Sequence, residues 1–90
     1  MADNAALRTL VVDDEPLAIE RMQILCAEQP GITLVGTAAD GAAALRMIES
    51  LAPDLVLLDI NMPVMNGIEA TAAIKGRHPD IPVEDYQGSF

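Results

Sequence analysis

The sequence predicts an α/β fold around a parallel sheet. Three observations carry that expectation. Two short, continuously apolar runs, Thr9-Leu10-Val11-Val12 and Leu55-Val56-Leu57-Leu58, each end in aspartate, as strands buried on both faces do. Helical patterns separate the apolar runs, with connections of the usual crossover length. The resulting order, β-α-β-α-β-α, is that of an α/β domain.

The first strand covers residues 9–12. The helix after it opens behind Asp13-Asp14-Glu15, with Pro16 in the favoured first turn, and Pro30-Gly31 stops it. Ala18, Ile19, Met22, Leu25 and Cys26 form its broad apolar stripe, while Leu17 and Ile24 fall on a separate face and imply a second neighbour. Residues 33–38 mix polar and apolar side chains and read as an edge strand, in which Gly36 relieves the edge. Asp40 is the N-cap expected for the second helix, whose stripe is Ala44, Met47, Ile48 and Leu51, and Pro53 ends it. After the strand at 55–58, a weaker helix is expected from about Gly67 to Arg77, with Ile68, Ala72 and Ile74 as its apolar residues. Ile81-Pro82-Val83 opens a fourth strand as a stub, and residues 84–90 read as a polar tail. The domain expectation is accordingly residues 1–83 plus that tail.

Composition narrows the function classes. Ninety residues hold one domain with a modest core. At 51% hydrophobic the chain is not composed like a disordered one, and its only aromatics, Tyr86 and Phe90, leave an aliphatic core. The formal net charge is −9, and the five basic residues, Arg8, Arg21, Arg46, Lys75 and Arg77, are scattered, so direct nucleic-acid binding is not expected. No stretch has the length of a membrane span, and Met1–Leu7 lacks the basic and apolar regions of a signal peptide, which points to the cytoplasm. Lone Cys26 reads as a small buried residue, Met22 and Met47 as core, and His78 as a helix-end residue.

The chemistry gathers at two strand ends. In open parallel sheets, ligands bind beyond the carboxyl ends of the strands. If the first and third strands are neighbours, Asp13-Asp14 and Asp59 lie roughly 5 Å apart. Crowded carboxylates call for a bound cation or a raised pKa, and oxygen-only ligands in small number favour hydrated Mg²⁺. The same arrangement suits phosphoryl transfer to a carboxylate. Each motif also has a plain reading. The acidic pair before Pro16 suits a helix cap, and Asp59-Ile60-Asn61-Met62-Pro63 suits a polar turn.

At these residues the chain resembles the receiver domain of bacterial two-component response regulators. Val11 to Pro16 is similar to that family's first strand and acidic pair. Asp40-Gly41 with Ala44-Leu45 resembles its second-helix opening. Pro53 to Pro63 is similar to its third strand and phosphoacceptor loop, and Asn66-Gly67-Ile68-Glu69 to the start of its third helix; the likeness covers about residues 8–83. The resemblance implies an incomplete flavodoxin-like (CheY-like) sheet of strand order 2-1-3 with a stub of strand 4. It implies Asp59 as acceptor of a phosphoryl group from a histidine kinase or phosphotransfer protein. It also implies direct Mg²⁺ binding by Asp14, assistance from Asp13 through water, a backbone carbonyl from Asn61, and a backbone amide from Met62 near the phosphate. Residues 13–18 are further similar to receivers attached to LytTR-type DNA-binding domains.

Receivers have five strands and five helices, with a Ser or Thr after the fourth strand and a Lys after the fifth; neither has a counterpart in these 90 residues. Slow phosphorylation and self-association through the uncovered sheet edge are therefore expected. No catalysis is expected beyond phosphotransfer onto Asp59. Two other classes compete: a metal-dependent phosphohydrolase working through an aspartyl phosphate, and a non-phosphorylated interaction module.

Overall fold

Four parallel strands pair in the order β2-β1-β3-β4, so the first strand is interior and lies between two strands that both come later in the sequence. The computed structural model describes residues 6–59 and 67–86. Its elements are β1 (Leu7–Val12), α1 (Pro16–Ala27), β2 (Ile32–Ala38), α2 (Gly41–Leu51), β3 (Leu55–Asp59), α3 (Gly67–Arg77) and β4 (Val83–Tyr86). Parallel neighbours need crossovers, and each helix supplies one.

Both faces of the interior strand are covered. Leu10 and Val12 join Val56, Leu58, Ala44, Ile48, Ala70 and Ile74 in one core cluster, on the face shared by α2 and α3. Thr9 and Val11 alternate with them and are equally buried, while Ala18 and Cys26 of α1 are buried outside that cluster, against the opposite face. The continuously apolar run at residues 9–12 thus reflects a strand with no solvent face.

α2 lies unusually close to the sheet. A Cβ on Gly36 would sit 2.6 Å from Met47 Cε and 3.1 Å from Leu51 Cδ1, so the glycine makes room for the helix. Just before it the β1–β2 register shifts, pairing Thr9 with Leu34 but Leu10 with Gly36, which leaves Val35 as the extra residue of a bulge. At the amino-terminal ends of β1 and β3, Arg8 and Asp54 exchange backbone and carboxylate hydrogen bonds: Asp54 N–H donates to Arg8 O at 2.7 Å and Arg8 N–H to Asp54 Oδ2 at 2.9 Å. The Arg8 guanidinium donates to Ala52 O at 2.9 Å, closing the α2–β3 corner. Ala52 itself is left-handed, at φ 47° and ψ 60°, with its N–H bonded to Ile48 O.

Several helix ends follow the sequence. Asp40 caps α2 by accepting from Ala43 N–H at 2.7 Å. Lys75 and Arg77 occupy the last turn of α3, where cations suit the helix dipole, and Lys75 Nζ also donates to Ile81 O at 3.2 Å.

Four expectations change. Leu25, assigned to the α1 stripe, is 50% exposed. Ala72 is exposed, and Ala70 takes the core position with Ile74, because α3 presents that face to β3 and β4. β1 and β2 begin earlier, at Leu7 and Ile32, held by Leu7 N–H to Gly31 O at 2.8 Å. The fourth strand does not stop at Val83: backbone pairing with β3 continues through Leu57–Glu84, Leu58–Asp85 and Asp59–Tyr86. An edge strand with exposed Glu84 tolerates the polar composition that suggested a tail. The side chain of Ile68 lies outside the described residues.

Candidate metal and phosphoryl-acceptor site

β1 and β3 are direct neighbours, with Val12 opposite Leu58 in their last paired position. The next residue on each strand is an aspartate, so Asp13 and Asp59 emerge side by side at the carboxyl rim. Asp13 is 0% and Asp59 4% exposed, whereas Asp14 is open to solvent. One carboxylate oxygen from each of the three lies within 4.8 Å of the others.

The backbone holds this arrangement. Asp13 N–H donates to Ala38 O at 2.9 Å, tying the end of β1 to the end of β2. Glu15 N–H donates to Asp13 Oδ1 at 2.9 Å, a side-chain turn that aims the carboxylate and swings the chain into α1. The helix cap is Glu15, whose Oε1 accepts from Leu17 N–H at 3.4 Å, and not the aspartate pair. The plain reading of Asp13-Asp14 as a cap is thereby removed. The support from Ala38 and Glu15 escaped sequence reasoning, since both act through backbone groups. Asp-Asp-Glu-Pro ahead of a helix was the available signal.

The donor set fits a hard divalent cation. Two oxygens on opposite sides of a Mg²⁺ at about 2.1 Å each are about 4.2 Å apart, so a cluster spanning 4.8 Å needs only a small rotation or one intervening water. All donors are carboxylate oxygens, the chemistry Mg²⁺ prefers. Without a cation, three like charges face one another, two of them away from water.

Not every expected residue can be placed. Asn61 and Met62, with Ile60 and Pro63–Asn66, lie outside the described residues. Lys75 is engaged at the far end of α3. The Tyr86 backbone pairs with Asp59, so the strand beside the acceptor continues to its level.

Comparison with known proteins decides the family. The family model for the response regulator receiver domain matches residues 9–84. The chain belongs to the receiver-domain family. A protein-glutamate methylesterase/protein-glutamine glutaminase of Nocardioides sp. is 43% identical over 77 residues, 86% of this chain and 21% of that protein. The nitrate/nitrite response regulator protein NarL of Escherichia coli is 42% identical over 69 residues, 77% of this chain and 32% of that one. The solved response regulator domain of Thermotoga maritima CheB superposes with a TM-score of 0.82 at 34% identity, covering 90% of this chain and 60% of that one. This receiver domain thus spans a fifth to a third of those curated relatives' lengths. The CheY-like α/β architecture is shared with the solved receivers, and the chain acts in phosphorelay signal transduction. Among the described residues no helix is long and apolar enough to cross a membrane.

Proposed function

We propose that Asp59 is the phosphoacceptor of this receiver and that Asp13 and Asp14, with Asp59 and the Asn61 carbonyl, hold Mg²⁺. The observation that carries this reading is the convergence of three carboxylate oxygens within 4.8 Å at the ends of two adjacent strands. A bound Mg²⁺ would offset the charge on the transferring phosphoryl group. The donor is a phosphohistidine on a histidine kinase or phosphotransfer protein. An Asp59 carboxylate oxygen attacks phosphorus, the phosphorus–nitrogen bond breaks, and the freed imidazole takes a proton. The product is an aspartyl phosphate, which the Met62 amide would contact in the role that the family resemblance implies. Asp14, the exposed member of the pair, would coordinate the ion directly, and buried Asp13, oriented by Glu15 N–H, would assist it through water.

The reaction ends on the chain's own side chain and involves no turnover of an external substrate. It takes place in the cytoplasm, and no membrane or direct nucleic-acid contact is involved. We assign the receiver to the chain through at least Tyr86, the last residue paired in β4. The similarity of residues 13–18 to LytTR-linked receivers supports an output domain of that type outside this chain.

The test is labelling with acetyl phosphate, read by intact mass with and without Mg²⁺. One phosphoryl group should appear on the wild type with Mg²⁺ and none on Asp59→Asn. Equal labelling of Asp59→Asn overturns the assignment.

A further inference from the structure

We infer that the Glu15 side chain is a positioning group for the cation pocket, a role that rests on the proposed Mg²⁺ site. By capping α1 it holds the Asp13-Asp14 turn in the shape that binds the ion. Between Asp13 and Pro16, the first residue of α1, lie only Asp14 and Glu15. The near end of this link is fixed, since Asp13 N–H donates to Ala38 O at 2.9 Å. Glu15 fixes the far end with all of its polar groups. Its N–H donates to Asp13 Oδ1 at 2.9 Å, its carbonyl accepts from Ile19 N–H at 3.0 Å, and its Oε1 accepts from Leu17 N–H at 3.4 Å.

Cap and pocket are thereby coupled through one residue. Glu15 is extended, at φ −102° and ψ 115°, and the helix starts directly after it. Pro16 has no N–H, so the first free donor of the helix belongs to Leu17, and the Glu15 carboxylate answers it. That bond holds Glu15 against the first turn, and the N–H of the same residue aims Asp13. Exposed Asp14 sits between the two anchors, so freedom gained at Glu15 passes to both members of the acidic pair. A loosened link spreads the carboxylates over more arrangements. An ion that demands near-octahedral geometry then binds more weakly, in proportion to the fraction of competent arrangements that remains. The cap bond itself is long and exposed, so losing it changes global stability little, and the two effects separate. Glu15 also brings a negative charge near the pocket, whose attraction for a cation is the competing explanation. Glutamine distinguishes them, because it keeps Oε1 and drops the charge.

Titration of the 90-residue chain with MgCl₂, followed by ¹⁵N–¹H NMR, reads the Kd and the turn together. Residue 15 is exposed, so Glu15→Ala and Glu15→Gln should fold, and the dispersion of the spectra shows that they do. In the wild type, Mg²⁺ should shift the amides of Asp13 and Asp14. Glu15→Ala keeps the residue-15 amide but lacks the cap. It should raise the Kd about three- to tenfold, and without Mg²⁺ it should move that amide toward its solvent-exposed position. Glu15→Gln should stay within about twofold of the wild type. An unchanged Kd in Glu15→Ala overturns the positioning role. So does a Glu15→Gln that loses as much as Glu15→Ala, which assigns the effect to charge. Asp14→Asn, with Glu15 intact, tests the site itself and should lose the Mg²⁺ response. A wild type without Mg²⁺-dependent shifts, or an Asp14→Asn that keeps them, refutes the Mg²⁺ site and the positioning role with it.

Discussion

Replacing Asp13 by Asn should make the metal-free protein more stable while removing its response to Mg²⁺. The side chains are nearly isosteric, and Asn keeps an Oδ1 to accept from Glu15 N–H, so the turn into α1 survives. What changes is one charge. Two unit charges 4.8 Å apart repel by about 3.5 kcal/mol at an effective dielectric of about 20. Backbone donors already offset part of this, and water reaches the cluster past exposed Asp14, so a net gain of about 1–2 kcal/mol is expected. For a domain of this size that raises the metal-free Tm by roughly 5–15 °C. In the wild type, Mg²⁺ at a hundred times its Kd should stabilise by about 2.7 kcal/mol, and Asp13→Asn should lose most of that increment. Thermal melts by circular dichroism, in EDTA and in a Mg²⁺ series, measure both quantities. A lower metal-free Tm for Asp13→Asn, or an undiminished Mg²⁺ shift, would refute the picture of a charged socket strained by its own repulsion.

Three further outcomes follow from the packing. Ala52→Gly should stabilise by about 1 kcal/mol, because φ 47° costs an L-residue but not glycine; chemical denaturation reads it as a higher midpoint at constant slope. Ile74→Ala, fully buried between α3 and the sheet, should cost about 2–5 kcal/mol, a large share of the stability available to 90 residues, seen as a collapse of the urea midpoint. Burial pushes the Cys26 thiol above its ordinary pKa, so its contribution to stability is complete below the unfolded thiol's pKa and is lost as pH rises through the folded value. Urea melts should therefore weaken on the alkaline side, a slope that Cys26→Ala flattens, and thiol reagents should react with the native protein slowly.

What could be read from the sequence was whatever depended on strand burial, complete on both faces at residues 9–12 and, in β3, complete on the Val56–Leu58 face with Leu55 and Leu57 half-buried on the other. Runs such as residues 9–12 and 55–58 have few alternatives once they end in aspartate, and the pocket follows from their adjacency. Asp40 was legible because a cap is a local event. The misreadings arose where neighbours decide. Ala70, Ala72 and Ala73 are chemically alike, and only the docking of α3 selects Ala70 for the core. Leu25 and Cys26 are adjacent on a helix apolar on most sides, and the sheet covers one of them. Gly36 looked like an edge device, yet its reason is the approach of Met47 and Leu51, long-range contacts that no local pattern reveals. The extent of β4 was hidden because pairing on one side constrains the backbone and leaves composition free.

The interior position of β1 sets the order in which the molecule comes apart. Amide protons of Leu10, Val11 and Val12 are screened by strands on both sides and by layers above and below, so their exchange with deuterium requires opening of the whole domain. Among the described residues β4 is bonded along one side only, so in this 90-residue chain it can detach in smaller fluctuations. Asp13 is thus rooted in the last segment to yield, and a transient loss of the periphery would leave its half of the ion-binding pocket standing.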